Sequence, residues 1–518
     1  MRLSRIERIF FGVFAVQLIF TLGFGIAIYR ALTTTPTATS TARVGAADQG
    51  NATDDAGSTS QQLPATDAPG ASSSTGTAGG AAAGATGSSA GAAPTGTSAS
   101  TGGAPAPAGP ATRSTGTRGA AAAAVAPSVC PFPNGVLNVG SIVEQSGLIT
   151  TPEVANAAKA YFQEANLHGG VHGCRVTDTI LDDANNPTTA LNDAKQLVGD
   201  DHVFAIVSME SNFGQTAGVD NYFANPGADN NNQAVPVIGL DPYESLAYQL
   251  PNEFGTDAPL YDAGETMAYE AAQFYGKGGF THPGLFGYDL DQVRDAIHAY
   301  QAGMKQLGYD NLDVKLINAS NGGYDAVAKQ FVADGVDLIT WFTDIGGGLR
   351  FTQAMDNAGY KGKWVEFSIA YDSRYASQFG NGGQQANGAP VVSNYLPFEA
   401  NTPAIQAMKA TVERYFPGTV LNSVMVQGWT GAQVFATEMN RLALTPDRTA
   451  DQKLLIDALG AERSLDLGGL TPPMDFSLAS GRLGDGLHGH VGHRCVQYLV
   501  IQNGQFEWRD RTWHCPVF

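Results

Sequence analysis

Short apolar runs alternate with amphipathic stretches of helical length through most of the second half of this chain. This rhythm constrains the fold more than any other feature of the sequence. The run at 137–143, flanked by Gly135-Val136, has strand length and ends in the polar loop EQSG. Thr151-Pro152 then opens a helix whose apolar face is Val154, Ala157, Ala158, Tyr161 and Ala165, with Thr a potential cap and Pro suited to the first turn. Strands are predicted at 174–183, 203–208, 235–240, 284–288, 313–317, 336–342, 363–369 and 389–397, and helices from Pro187 and over 260–276, 291–307, 324–334 and 348–358. Two or more long helices fill 402–462. Continuous apolar strands interleaved with helices mean a parallel sheet covered on both faces. The 391 residues from 128 to 518 exceed one ordinary core, so the pattern predicts an α/β head of two doubly wound parallel-sheet lobes.

The end of the chain departs from this rhythm. Residues 495–510 form two alternating runs around Asn503-Gly504, a strong hairpin signal. Mirroring about that turn sets Cys495 opposite about residue 512, close to Cys515, and predicts a Cys495–Cys515 disulfide. Cys130 and Cys174 each precede one of the first two predicted strands. Adjacent parallel strands would bring those starts together, which predicts a Cys130–Cys174 disulfide. His488, His490, His493 and Cys495 are chemically adequate zinc ligands. In an exported chain, however, paired cysteines oxidise, and the disulfide reading is preferred to a metal site.

The chain of 518 residues contains two further materials before the head. Residues 9–29 carry no charge and follow Arg2, Arg5 and Arg8. At 1.5 Å per residue they span roughly 31 Å, the thickness of a bilayer core. No clear cleavage site follows Tyr29-Arg30, so a retained anchor is preferred to a cleaved signal, with residues 1–30 as cytoplasmic stub and anchor. The arginines preceding the span place the N-terminus in the cytoplasm and the head outside, a single-pass arrangement in the cell membrane. Residues 31–127 are a low-complexity tract dominated by Ala, Gly, Ser, Thr and Pro, with no Phe, Trp, Tyr, Ile or Met. Such a tract cannot bury enough apolar surface to fold, and reads as a disordered linker.

Composition excludes other classes. Lys+Arg is 29 against 48 Asp+Glu, a net charge of −19, which argues against a nucleic-acid partner. The head contains no P-loop, G-x-S-x-G or H-E-x-x-H motif, and TDIGGGLR (343–350), which follows a strand and opens a helix, is not G-x-G-x-x-G, so no cofactor and no catalytic residue is expected. In open parallel sheets ligands bind at the carboxyl ends of strands. The loops there carry Gln145, Ser146, Glu210, Ser211, Asn212, Asp241, Tyr243, Gln292, Asp344, Tyr371 and Asp372, whose hydroxyl, amide and carboxylate groups suit a small polar ligand.

Several segments together resemble a known family. GGVHGCRVTDTILDDANNPTTALNDAKQLVGDDHVFAIV (169–207), DGVDLITWFTDIGGGLRFTQAMDNAGYKGKW (334–364), VQGWTGAQVFATEMNRL (426–442) and the closing MDFSLASG…GHRCVQYLVIQNGQFEW are similar, in order and spacing, to the type I periplasmic binding proteins of the leucine/branched-chain amino acid class. The resemblance implies a periplasmic binding protein-like I fold: two lobes joined by three crossings, with lobe 1 about 128–257 plus 392–465 and lobe 2 about 258–391 plus 466–518. It implies a non-enzymatic solute-binding protein that traps a small molecule, such as an amino acid or amide, in the interlobe cleft and serves an ABC permease. By position, Ser211 falls where the family's hydroxyl meets a ligand carboxylate, and Leu240-Asp241-Pro242 on a ligand-binding loop. Gln292 and Asp344 fall where the leucine-type proteins place tyrosines, and Ser368 or Tyr371 near the acid that pairs with a ligand amine. Asp241-Pro242 departs from the family's small residue plus hydroxyl. Glu210 adds a carboxylate that would repel a ligand carboxylate unless it is paired or the ligand is cationic. The other readings are a sensor module signalling through a membrane partner and an exported metal-dependent hydrolase.

Overall fold

The computed structural model describes residues 129–211, 217–240, 250–257, 260–276, 278–320, 322–378, 386–477 and 490–515. The anchor at 9–29, the tract at 31–127, Asn212, Asp241, Tyr243, His488 and the side chain of Gln292 lie outside the described residues. Among the described residues no helix is long and apolar enough to cross a membrane.

The head begins with β1 (Val136–Val143), α1 (Pro152–Leu167), β2 (Arg175–Asp182), α2 (Pro187–Lys195), β3 (Ala205–Val207), α3 (Ala217–Ala224), β4 (Val237–Leu240) and β5 (Glu253–Gly255). Next come α4 (Leu260–Tyr275), β6 (Pro283–Tyr288), α5 (Asp291–Gln306), β7 (Asp313–Ile317), α6 (Tyr324–Asp334) and β8 (Leu338–Phe342). They are followed by α7 (Ile345–Asn357), β9 (Lys363–Trp364), α8 (Ser373–Gln378) and β10 (Pro390–Ser393). Three helices, α9 (Pro403–Tyr415), α10 (Ser423–Met439) and α11 (Arg448–Ala461), precede β11 (His490–Val491), β12 (Gln497–Gln502) and β13 (Gln505–Trp508).

Strand pairing sorts these elements into two lobes. The first sheet is parallel in the order β11-β5-β4-β3-β1-β2. The second is parallel in the order β7-β6-β8-β9. A parallel bridge from Glu366 to Val391 carries the second sheet on into the antiparallel set β10-β12-β13. Pairing of β11 with β5 places a strand from within 466–518 in the first lobe. The chain passes between lobes after Asp257, between β10 and α9, and between β11 and β12.

Local chemistry accounts for where elements begin and end. Asn186 caps α2 by accepting from the backbone N–H groups of Thr188 and Thr189, and Asn422 caps α10 through Met425. Thr151 does not cap α1; its hydroxyl makes no bond to the helix, and Pro152 supplies the start instead. The predicted strand at 363–369 stops at Trp364, because Ser368–Ala370 turns into a 3₁₀ helix. Asn503 (φ 52°) and Gly504 (φ 81°) form the left-handed pair that a two-residue hairpin turn requires.

Both disulfides form. Cys130–Cys174 joins the start of the head to the residue before β2, beside the paired starts of β1 and β2. Within the hairpin Leu499 faces Trp508, but farther along Val496 faces His514. The intervening residues shift the register, and this shift sets Cys515 against Cys495.

Two buried carboxyls give the fold a pH dependence. Glu253 on β5 is 2% exposed, and neither side-chain oxygen has a hydrogen-bond partner among the described residues. Glu366 is fully buried and, among the described residues, its carboxyl accepts only the Tyr375 hydroxyl, at 2.6 Å. Burial holds both carboxyls well above the ordinary range, with the Asp220 charge adding to the effect at Glu253. A carboxyl raised in the folded state retains a proton that the unfolded chain has released. Its contribution is complete below the unfolded value near 4.5 and is lost as pH rises through the folded one. Stability measured by urea unfolding should therefore fall from pH 5 to 8. Glu253→Gln should flatten that slope by up to about 1.4 kcal/mol per pH unit. An unchanged slope would place ionised Glu253 in the native state.

Candidate functional site

A cleft lies between the lobes, and both contribute walls. From the first lobe come Ile149–Thr151 and Glu153 at the start of α1, Glu210 just after β3, and Asn422–Val424 with Gln427 at the start of α10. From the second come Tyr288 at the end of β6, Leu290 and Val293 at the start of α5, and Phe342–Ile345 between β8 and α7. Phe367–Ile369, Asp372 and Arg374 complete that wall, and Asp257 stands at the first crossing. The carboxyl ends of parallel strands thus face one another across the gap, where helix starts and loop side chains converge.

Asp344, Glu210 and Asp372 are held by their neighbours. Asp344 accepts the backbone N–H groups of Gly346 and Gly347, capping α7, and its Oδ1 accepts the Tyr288 hydroxyl at 2.7 Å. Burial and the Asp344 charge raise the Tyr288 phenol far above its ordinary range, so Tyr288 acts as a donor. Glu210 Oε2 accepts from Gln427 Nε2 at 2.7 Å. Its backbone is fixed by bonds to Ile142 and Glu144 at the end of β1.

Arg374 forms a two-pronged contact with Asp372, with Nε to Oδ1 at 3.0 Å and Nη2 to Oδ2 at 2.7 Å. The same Nη2 lies 3.4 Å from Glu153 Oε1, across the lobe boundary. Asn422 Nδ2 donates to Asp372 Oδ2 at 3.1 Å, a second bond between the lobes. Burial raises the Glu153 carboxyl above its ordinary range, against the opposing pull of its backbone N–H and Arg374.

The sequence-predicted residues divide between cleft and scaffold. Glu210, Asp344, Ser368 and Asp372 lie on the cleft walls. Gln145 and Ser146 are exposed and give their backbone N–H groups to Asp182 Oδ1, and the Ser146 hydroxyl donates to Oδ2. Ser211 is fully buried and donates its hydroxyl to Asp183. Leu240 packs in a hydrophobic cluster with Ile142 and Val237. Tyr371 is 2% exposed; its hydroxyl donates to Glu399 Oε2 at 2.6 Å and accepts the Phe398 N–H. These five belong to the frame behind or beside the cleft rather than to its lining.

Sequence reading missed Glu153, Arg374, Asn422 and Gln427. They sit in the first turns of α1, α8 and α10 or at a cap, not in strand-end loops. The available signal was their position: Thr151-Pro152 and Asn422 mark helix starts, and helix starts line a cleft in this architecture.

Among the described residues, His490, His493 and Cys495 do not converge on one point. His490 stacks on Phe254 with centroids 4.6 Å apart, while buried His493, lowered to about 4 by desolvation, sits by the Cys495 carbonyl. Cys495 is spent in the disulfide. Among the described residues no group of three or more His, Cys, Asp or Glu is arranged to hold a metal ion.

Comparison with known proteins agrees with this architecture. The chain belongs to the periplasmic binding protein family, whose model matches residues 136–487. An extracellular ligand-binding receptor from Verminephrobacter eiseniae superposes with a TM-score of 0.59 at 19% identity, covering 72% of this chain and 99% of its own. A solute binding protein of an ABC transporter from R. palustris, in complex with benzoate, gives 0.59 at 15% identity, covering 74% and 97%. The branched-chain amino acid transporter substrate binding protein LivJ from Streptococcus pneumoniae, in complex with isoleucine, gives 0.59 at 13% identity, covering 74% and 100%. At these identities the likeness is one of fold. No curated protein sequence matches the chain.

Proposed function

We propose that this protein is a solute receptor that captures a small polar ligand in the interlobe cleft and delivers it to an ABC importer. The observation that carries the reading is the cleft itself: charged and apolar side chains from both lobes face one space. A ligand that touches both walls binds the closed arrangement more tightly than the open one, and that difference drives closure. The solved proteins of like fold include transporter subunits in complex with isoleucine and with benzoate, in keeping with capture of a small organic solute. The uncharged span at 9–29 and the low-complexity tract at 31–127 support a head tethered outside the membrane, on a leash of roughly 50–60 Å.

Thermal unfolding of the full chain against amino acids, amides, polyamines, aromatic acids and sugars tests the reading. A ligand of the folded state stabilises it by about 2.7 kcal/mol at a hundredfold excess over its dissociation constant. At least one compound should raise the midpoint in proportion to the logarithm of its concentration. If none does, and mass spectrometry of the denatured protein finds no retained ligand, the capture reading fails.

A further inference from the structure

We propose that the cleft selects an organic cation: an ammonium or guanidinium group on a compact apolar body, with no free carboxylate. The inference rests on the capture reading above and names the chemistry of its ligand.

Charge on the walls is one-sided. Glu153, Glu210, Asp257, Asp344 and Asp372 face the cleft, and Arg374 is the one basic side chain among the described lining residues. Arg374 is already committed to Asp372 through two bonds and approaches Glu153 as well. Glu153 is 4% exposed, and its Oε2 has no hydrogen-bond partner among the described residues. A buried acceptor of this kind on a binding wall lacks a donor, and a cationic ligand brings several.

At three of the helix starts on these walls the chain itself occupies the place an anion would take, while Leu290 gives α5 no side-chain cap. The N-terminus of α7 opens into the cleft, but its first N–H groups are taken by the Asp344 carboxylate. The start of α10 is capped by Asn422, and α1 begins with Pro152, which has no N–H to give. An incoming carboxylate would have to displace a resident carboxylate or share Arg374. An incoming cation meets acceptors already oriented by Tyr288 and Gln427. Leu290, Val293, Phe342, Phe367 and Val424 supply hydrocarbon on the same walls, which suits an apolar body rather than a sugar.

The test is calorimetric titration of the full chain at pH 7 with two matched series. One is isopentylammonium, leucine and 4-methylpentanoate; the other is phenethylammonium, phenylalanine and 3-phenylpropanoate. In each series the body is kept while the charge changes from positive to zwitterionic to negative. At least one amine should bind tenfold or more tightly than its zwitterion and its carboxylate. Glu210→Gln, whose remaining side-chain oxygen can still accept from Gln427, should weaken that amine tenfold or more without shifting the unfolding midpoint of the unliganded chain. A zwitterion or carboxylate binding as tightly as its amine overturns the proposal. So does the absence of amine binding at millimolar concentration. If the wider screen finds an anionic or zwitterionic ligand, solute capture stands and only the cation assignment falls; if no solute binds, both fall.

Discussion

Gly428→Val is expected to lower folding stability by about 3 kcal/mol or more and to remove ligand capture with it. Helix α10 is buried on almost every side, and its glycines let it lie against neighbouring backbone. A Cβ at Gly428 would meet the carbonyl oxygen and the Cα of Val154 on α1. One turn on, a Cβ at Gly431 would lie 3.0 Å from the Cα of Gly239 on β4 and 2.6 Å from the Ser208 hydroxyl. Backbone cannot rotate aside as a side chain can, so the two helices must separate. Because the starts of α1 and α10 carry Glu153, Val424 and Gln427 into the cleft, that separation opens the first-lobe wall. Urea unfolding and ligand titration of the variant check both halves. A variant with the parent's stability would mean that α1 and α10 do not pack this closely.

The second large effect belongs to the Cys130–Cys174 bond. The double substitution Cys130→Ser, Cys174→Ser should cost about 4 kcal/mol, the loop-closure value for cysteines 44 residues apart. The bond pins the residues before β1 to those before β2, the pair of strands at one end of the first sheet. Cys174 is fully buried, so the serine hydroxyl adds a desolvation cost. Guanidinium unfolding of the double variant and the oxidised parent gives the number directly. Equal midpoints would contradict the loop-closure account, since the bond would then gain nothing by constraining the unfolded chain.

The framework was legible because its signals are local. Apolar runs and helix starts marked β1, α1, β6, α5, β7 and α6 to within about two residues, and the Asn503-Gly504 turn marked the closing hairpin. Helix α7 was expected from 348 but begins at Ile345, because three successive glycines read as a loop. The structure gives their reason: a Cβ at Gly347 would strike the Tyr288 hydroxyl, and one at Gly348 the Trp341 ring. Those glycines let the helix start close to the sheet, where Asp344 can cap it.

The cleft was legible only in part. Glu210 and Asp344 follow strands, and strand ends point to the site in this class of fold. Ser211 follows Glu210 directly, and alternation along an extended backbone turns it to the other side, onto Asp183. Arg374 and Glu153 are 221 residues apart in sequence and meet only because two lobes face each other. No local pattern records such a contact.

The central claim is that a solute is held between the lobes, and blocking that space tests it most directly. Ser368 lies half-buried on the second-lobe wall, where Ser368→Trp would project an indole into the cleft. The compound that most raises the unfolding midpoint of the full chain should be titrated into the parent and this variant. The account predicts at least a hundredfold loss of affinity, with the unliganded midpoint unchanged. Undiminished binding to the blocked protein would place the ligand elsewhere and contradict the account.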